Sequence, residues 1–502
     1  MEDNRDLFFS VWRNIFLNKY IFEQLNLLKK FKKVTFRRLE DLKHHKYKGY
    51  IKKIVYTSDE IINNRNFLVY YDLLESICFT DYSLALVCPS IFPMGIKTIK
   101  FPIKHGDYGV IETYGLSLLP NSVTNIKNIY MIEPFISIPS NIKRIHFRKI
   151  SQNILNKCSD FINKNHNESS LTDIGFYLDP SFGVNLNFDS IPNGMVKRIH
   201  LSTINFNVVD IPKSITNLKL DIRNAITLQE KNKFSFSNLK KLELVSKSEI
   251  EIHHHILPES LIHLKMISPK IFLGKKSLPN GLLYLKVSNN VMRMVNNNWL
   301  PLTLKTLIVG KTMTDNWYGF KHSCLTIQHV NIPPKLVHLE FEEKGFGEGD
   351  HQILTPGCIP KSLTYLNVGL NFNQEILKDA LPNLVEINLG SRFNQYLEPG
   401  VLPKTSLKKL ILSTDFNKKL EVGSLPDSIT HLIFGYNFNQ PIFSLPSSLT
   451  CLELYCPKYS HIINTPNLFP PCLSKLVLSN NFKQNNLISN DCFSSIGNVL
   501  IE

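Results

Sequence analysis

The chain has 502 residues, 43% of them hydrophobic and 20% charged, with a formal net charge of +15. That length is too great for one ordinary compact domain, and that balance of apolar and charged residues excludes an intrinsically disordered chain. The positive charge speaks to solubility and association and by itself assigns no partner.

The start, Met1 to Asp6, is polar, and the apolar run from Phe8 to Trp12 is broken by Arg13 and Asn14 with no small-residue cleavage site after it. It is therefore not read as a signal peptide. No stretch of about 18 apolar residues is present, so no membrane span is expected. The nine cysteines are odd in number and show no even ladder of spacings, which points to a reducing, cytoplasmic compartment.

Phe8, Val11, Trp12, Ile15, Phe16, Tyr20, Ile21, Leu25 and Leu28 fall near helical spacing, and a second helix is expected over Asp72 to Val87. Residues 1–90 are thus read as a helical cap over the open end of a stack, or as a docking region for a second protein. The basic run Lys29, Lys30, Lys32, Lys33, Arg37, Arg38, Lys43, Lys46 and Lys48 reads as a solvated face.

From residue 91 a phrase recurs. It opens at Phe92-Pro93 and returns at Leu119-Pro120, Ile138-Pro139, Ile191-Pro192, Ile211-Pro212, Leu257-Pro258, Leu278-Pro279, Leu300-Pro301 and Ile332-Pro333. Residues 235–244 are a copy without the proline, while 151–175, 311–331 and 343–358 read as loop insertions. From 359 the phrase is regular. Prolines 360, 382, 403, 426 and 446 are 22, 21, 23 and 20 residues apart, and Phe372-Asn373, Phe393-Asn394, Phe416-Asn417 and Phe438-Asn439 close the copies. The expected domains are therefore 1–90, degenerate repeats over 91–358, and regular repeats with a carboxy-terminal cap over 359–502.

A period near 22 residues means a solenoid, in which one unit that cannot bury its own apolar face stacks on copies of itself. In Leu363-Thr364-Tyr365-Leu366-Asn367-Val368, Leu366 and Val368 alternate onto one face of a short strand, and Leu363 begins the same apolar set. Copies about 4.8 Å apart then form a parallel ladder. Each proline, lacking an N–H, suits the turn that enters the strand. The phenylalanines are expected to stack as core wedges. Asn373, Asn394, Asn417 and Asn439 are expected to bond loop backbone of their own and the neighbouring turn.

The phrase Leu-Pro-x-Ser-Leu-Thr-x-Leu followed by Phe-Asn-Gln-x-Ile, clearest at Phe438-Asn439-Gln440-Pro441-Ile442, resembles the FNIP repeat of social-amoeba proteins. The resemblance is strong over 359–450 and weaker over 92–358, and the opening from Phe8 to Asn14 is similar to that of many members. It implies a β-rich, leucine-rich-repeat-like solenoid with a parallel sheet and a small α-helical amino-terminal cap, used for protein binding. Some members carry F-box or kinase domains. This sequence has no Gly-rich kinase loop, no His-Arg-Asp and no Asp-Phe-Gly.

No catalytic constellation is present either. There is no Gly-x-Ser-x-Gly and no phosphate loop; Gly345, Gly347 and Gly349 stand beside Glu348 and Asp350, which repel phosphate. His253, His254 and His255 are adjacent without a partner set, and Cys451 and Cys456 lack a second pair, so no metal and no cofactor are expected. The expectation is a non-enzymatic interaction scaffold; the alternative is a ubiquitin-ligase substrate adaptor docking through a divergent F-box-like segment in the first 60 residues.

Function should lie in the outward strand positions that flank each central Leu. These pairs are Thr98/Lys100, Asn125/Lys127, Arg144/His146, Arg198/His200, Asn217/Lys219, Lys241/Glu243, His263/Lys265 and Tyr284/Lys286 in the first, basic half. The second half has Thr306/Ile308, His338/Glu340, Tyr365/Asn367, Glu386/Asn388, Lys409/Ile411, His431/Ile433, Cys451/Glu453 and Lys475/Val477. The candidate binding residues are Arg144, His146, Arg198, His200, Lys219, Lys265, Tyr284, Lys286, Tyr365 and Asn367. Their charge fits an acidic protein partner, with nucleic acid and membrane not expected.

Overall fold

The computed structural model describes residues 15–57, 68–79, 92–101, 110–111, 119–131, 139–148, 156, 160, 171–178, 196–203, 213–222, 225–228, 237–274, 276–288, 291–293, 299–310, 332–342, 354–463, 468–479 and 499–501. The chain falls into two compact units, Met1–Lys219 and Leu220–Glu502. Each unit is a parallel β-solenoid.

In the first unit, helix α1 (Ile15–Lys30) leads into β1 (Lys33–Phe36), the short helix α2 (Leu39–His44) and β2 (Lys53–Tyr56). There follow β3 (Ser76–Phe79), β4 (Thr98–Lys100), β5 (Val110–Ile111), β6 (Asn125–Met131), β7 (Arg144–Arg148), β8 (Asp173–Leu178) and β9 (Val196–Thr203). The next strand, β10 (Asn217–Ile222), carries the chain from the first unit into the second. Parallel pairing runs β1 to β2, β2 to β3, β3 to β4, β4 to β6, and on through β7, β8 and β9.

Two expectations for residues 1–90 are corrected here. The described part of 72–87 is not helical: Ile77 and Phe79 are buried while Ser76 and Cys78 are half-buried, a period of two that only a strand presents. The region is also not helical throughout, because the ladder begins at Lys33; among the described residues of 1–90 the α-helices are α1 and α2. Residues 8–14 lie outside the described residues. The insertion expected over 151–175 likewise ends in a strand, β8. Residues 311–331 and 343–353 lie outside the described residues.

The repeat works through one buried triplet, an apolar residue followed three and five positions later by two more. It is seen at Ile51/Ile54/Tyr56, Leu74/Ile77/Phe79, Ile142/Ile145/Phe147, Leu171/Ile174/Phe176 and Leu363/Leu366/Val368, each side chain at most 3% exposed. Each such side chain contributes about 1.5–3 kcal/mol when removed from water. The proline sits where its missing donor is harmless, and its carbonyl accepts the N–H of the first triplet residue three positions on, as in Leu363 to Pro360 (3.0 Å) and Ile429 to Pro426 (3.1 Å). The serine before that residue has a role that spacing alone does not reveal. Ser122 Oγ, Ser260 Oγ, Ser362 Oγ and Ser428 Oγ each donate to the carbonyl of the corresponding core residue one turn back: Ile96, Leu239, Leu336 and Leu407.

In the second unit the main ladder runs from Lys241–Ser246 through His263–Ile267, Tyr284–Ser288, Thr306–Gly310, His338–Phe341, Tyr365–Asn367, Glu386–Asn388, Lys409–Ile411, His431–Phe434, Cys451–Leu454 and Lys475–Leu478 to Val499–Ile501. A second parallel sheet, not expected from the repeat phrase, joins Ile226–Leu228, Glu249–Ile252, Lys270–Leu273 and Val291–Arg293. Buried Ser246, Ser268 and Ser288 stand at the corners between these sheets; Ser268 donates its N–H to Ser288 Oγ (2.9 Å) and its hydroxyl to the Ser248 carbonyl (2.6 Å).

From 359 on, the turns are held by two ladders. Phe372, Phe393, Phe416 and Phe438 stack at 5.7–6.2 Å with interplanar angles of 3–4°, and Tyr459 continues the column at 6.3 Å. Asn373 Oδ1 accepts the N–H of Asn394 (2.8 Å), Asn394 that of Asn417 (3.0 Å), Asn417 that of Asn439 (2.8 Å), and Asn439 that of Ser460 (3.0 Å). Bonding to the neighbouring turn is as expected for a repeated asparagine.

Candidate protein-binding face

The outward strand positions form columns because parallel register repeats them turn after turn. In the first unit one column reads Lys33, Lys53, Ser76, Thr98, Asn125, Arg144, Asp173. The next reads Thr35, Val55, Cys78, Lys100, Lys127. Asn128, with φ at +61°, marks a bulge in β6, after which the pairing with β7 resumes one position out of step.

A second register shift lies between Ile174 and Gly175. It corrects the expected placement of one pair. Arg198 and His200 do not continue the row of Arg144 and His146; Arg198 lies opposite Gly175, itself opposite His146, and His200 lies opposite Tyr177. The shift brings Arg198 Nε to 2.9 Å from Asp173 Oδ2, while Arg144 Nε stands 4.0 Å from the same oxygen. Asp173 is 6% exposed and is the acidic centre of this face. Sequence reasoning misses it because it falls inside the stretch expected to be an insertion, although Leu171, Ile174 and Phe176 repeat the triplet without its proline.

Gly175 has room for no side chain: an added Cβ would stand 2.7 Å from His146 Cδ2. The His146 ring therefore lies over the glycine. His146 Nε2 and Asp173 Oδ1 are buried and make no hydrogen bond among the described residues. A buried polar atom left so costs about 1–3 kcal/mol, a burden that core packing alone does not explain. Lys127 is pulled below the ordinary lysine range by burial and then by Arg198, Lys100, Arg144 and Lys53, in that order. Lys219, on β10, is half-buried.

Burial holds the His146 imidazole at about 4; Asp173 opposes the shift, and Arg198, Lys127 and Arg144 reinforce it. The sign follows from linkage. Between pH 6.5 and about 4 the unfolded chain binds a proton that the folded chain refuses, so stability is full above pH 6.5 and falls as the pH drops toward 4. The loss is on the order of 2–3 kcal/mol. His146→Gln should flatten the dependence of the urea midpoint on pH across this window; a slope equal to that of the wild type would refute it.

The face of the second unit is built differently, since its charges pair within it. Lys241 meets Glu243 at 2.8 Å, with Lys265 at 4.0 Å on the other carboxylate oxygen. Lys286 pairs with Glu342, His338 with Glu340 (3.1 Å), Lys409 with Glu386 (2.7 Å) and Lys475 with Glu453 (2.9 Å). Two stacks lie among them: His263 on Tyr284 and His338 on Tyr365, both at 4.0 Å and within 5° of parallel. Asn367 Oδ1 and Asn388 Oδ1 accept the N–H of Gly369 (3.0 Å) and Gly390 (2.9 Å), so these asparagines shape their own turns. Of the candidate residues, Arg144, His146 and Arg198 come together around Asp173. Lys265, Tyr284 and Lys286 lie on adjacent strands, whereas Tyr365 and Asn367 belong to later turns.

His253 meets Glu251 at 3.3 Å. Buried Cys456 donates to the Gly435 carbonyl (3.2 Å), and burial pushes its thiol up to about 12. Among the described residues no group of three metal-ligating side chains gathers, and no helix is long and apolar enough to cross a membrane.

Comparison with known proteins agrees with this architecture. The FNIP Repeat family model matches residues 351–386, 383–415 and 416–456. An FNIP repeat-containing protein of Dictyostelium discoideum is 29% identical over 207 residues, covering 40% of this chain and 55% of that protein. A probable serine/threonine-protein kinase of the same organism is 50% identical over 68 residues, 13% of this chain and 8% of the kinase. The chain thus spans about half the length of the first relative and a small part of the second. Among solved structures, CroV588, a circular LRR protein, is similar over 92% of this chain and 67% of its own, at 23% identity and a TM-score of 0.51. The chain carries FNIP repeats in its carboxy-terminal region and folds as a leucine-rich-repeat-like solenoid.

Proposed function

We propose that this chain is a non-enzymatic, cytoplasmic interaction scaffold that binds an acidic protein partner through the outward strand face of its first unit. One observation carries the reading. Lys53, Lys100, Lys127, Arg144 and Arg198 share that face, where Asp173 is the carboxylate that meets Arg198 and Arg144, whereas the charges facing outward from the second unit are largely paired with one another. Such an imbalance steers and selects an acidic surface. The regular turns from 359 on are scaffold, since their Phe and Asn positions are used in stacking.

Charge reversal at Lys127, Arg144 and Arg198 together should abolish affinity capture of the partner. Reversal at Lys265 and Lys409 should leave most of it. Capture that survives the first set would rule this face out.

The adaptor reading is favoured by one feature. On α1, Tyr20 and Leu25 are 58% and 43% exposed, as a docking helix needs and a buried cap does not. Deleting residues 1–60 should then remove a co-purifying ubiquitin-ligase scaffold; absence of that scaffold from full-chain purifications would end the idea.

A further inference from the structure

The two arginines on Asp173 are arranged in a way that general charge complementarity does not require. Both approach the same carboxylate oxygen through Nε, Arg198 at 2.9 Å and Arg144 at 4.0 Å. Among the described residues neither guanidinium has another acceptor, which leaves Nη donors for one. The strands that bear them are not adjacent, since β8 lies between β7 and β9. The register shift between Ile174 and Gly175 carries Arg198 toward Asp173. Asp173, almost wholly buried, is a positioning residue that holds Arg198 from behind and attracts Arg144 from 4.0 Å.

The ammonium of Lys127 belongs to the same cluster. Lys127 stands two positions along β6 from Asn125, which lies opposite Arg144, and after burial Arg198 and Arg144 are among the like charges that lower its pKa. Two guanidinium forks thus meet at one carboxylate, with an ammonium on the strand beside Arg144, and that carboxylate is already engaged. A second single carboxylate offers one charge and two oxygens. A phosphomonoester offers a charge of about −1.5 to −2 and three strong acceptors at one point. Arginine forks match that geometry bidentately.

We infer that Lys127, Arg144 and Arg198, oriented by Asp173, form a phosphomonoester site that recognises a phosphoserine or phosphothreonine in the partner's acidic segment. This rests on the reading of the first unit's face as protein-binding and names what that face selects. No bond forms or breaks; recognition is ionic and reversible.

The test uses the full chain immobilised and three degenerate peptide libraries that differ only at a central phosphoserine, serine or glutamate. The phosphoserine library should be retained at least tenfold over the other two and displaced by inorganic phosphate. Arg198→Gln and Lys127→Gln should each lower that retention about tenfold. Both are half-exposed positions, and an unchanged urea midpoint would show that the fold is intact. Asp173→Asn should keep all three cations but release their orientation, and so narrow the ratio of phosphoserine to glutamate retention, which a merely structural carboxylate would not do.

Equal retention of the phosphoserine and glutamate libraries, lost together in Arg198→Gln, would overturn the phosphate site and leave the acidic-partner reading standing. The phosphate site also falls, alone, if no library is retained while charge reversal still abolishes partner capture. If charge reversal leaves capture intact as well, both readings fall. Salt-sensitive retention of polynucleotide above that of the phosphopeptides would assign the cluster to a nucleic-acid backbone instead.

Discussion

Replacing Gly390 with alanine is expected to destabilise the second unit by about 3–5 kcal/mol, from two separable causes. Its φ of +73° lies in the left-handed region, which costs a residue with a Cβ about 1–2 kcal/mol. An added Cβ would also stand 1.7 Å from the Gly369 carbonyl oxygen, a backbone atom of the preceding turn that cannot rotate away. Two other glycines isolate these causes. Gly400 has φ of +90° with Lys378 Cε as its nearest neighbour at 3.6 Å, so Gly400→Ala should show the conformational cost alone. Gly435 has no positive φ, yet its Cβ would meet the Ser413 carbonyl oxygen at 1.9 Å, so Gly435→Ala should show the clash alone. Urea midpoints should fall in the order Gly400→Ala, Gly435→Ala, Gly390→Ala. A Gly435→Ala chain as stable as Gly400→Ala would show that adjacent turns can part without cost.

Close approach of successive turns also decides what could be read from the sequence. The prolines mark strand entries because a residue without an N–H can stand only where none is needed. Asparagine at one place in every copy marks the ladder from Asn373 to Asn439 for a similar reason: one side chain can serve the next backbone N–H. Turns built on the triplet without the proline are harder to see. Leu74, Ile77 and Phe79 suit a helix by their first spacing, and only their alternating burial shows a strand. Leu171, Ile174 and Phe176 are hidden in a polar stretch, and Asp173 with them. The meeting of Arg144 and Arg198 is beyond sequence reading, since it depends on a one-residue slip at Gly175. A glycine inside a strand pattern is the one signal that could suggest it. The second sheet is legible in the alternation from Glu249 to Ile252, but its partners repeat no proline and so do not present themselves as copies.

Phe416→Ala is expected to cost about 3–5 kcal/mol, the range for a buried aromatic. The ring is fully buried and lies between Phe393 at 6.2 Å and Phe438 at 6.1 Å, within 4° of parallel with both. In a solenoid, stability is a sum of single turns and nearest-neighbour interfaces, so one missing ring weakens two interfaces. Phe416→Leu keeps apolar volume but loses the ring, and should cost roughly 1–2 kcal/mol. Phe443, 59% exposed, is the internal control: Phe443→Ala should stay within about 0.5 kcal/mol of the wild type. Amide exchange would show the damage as local, because each turn touches chiefly its neighbours; protection should fall first around 386–389 and 431–434, the strands on either side. Equal effects of Phe416→Ala and Phe443→Ala would mean that the ring column does not join the turns. Otherwise the column, and not a partner, fixes the residue at positions such as Phe416.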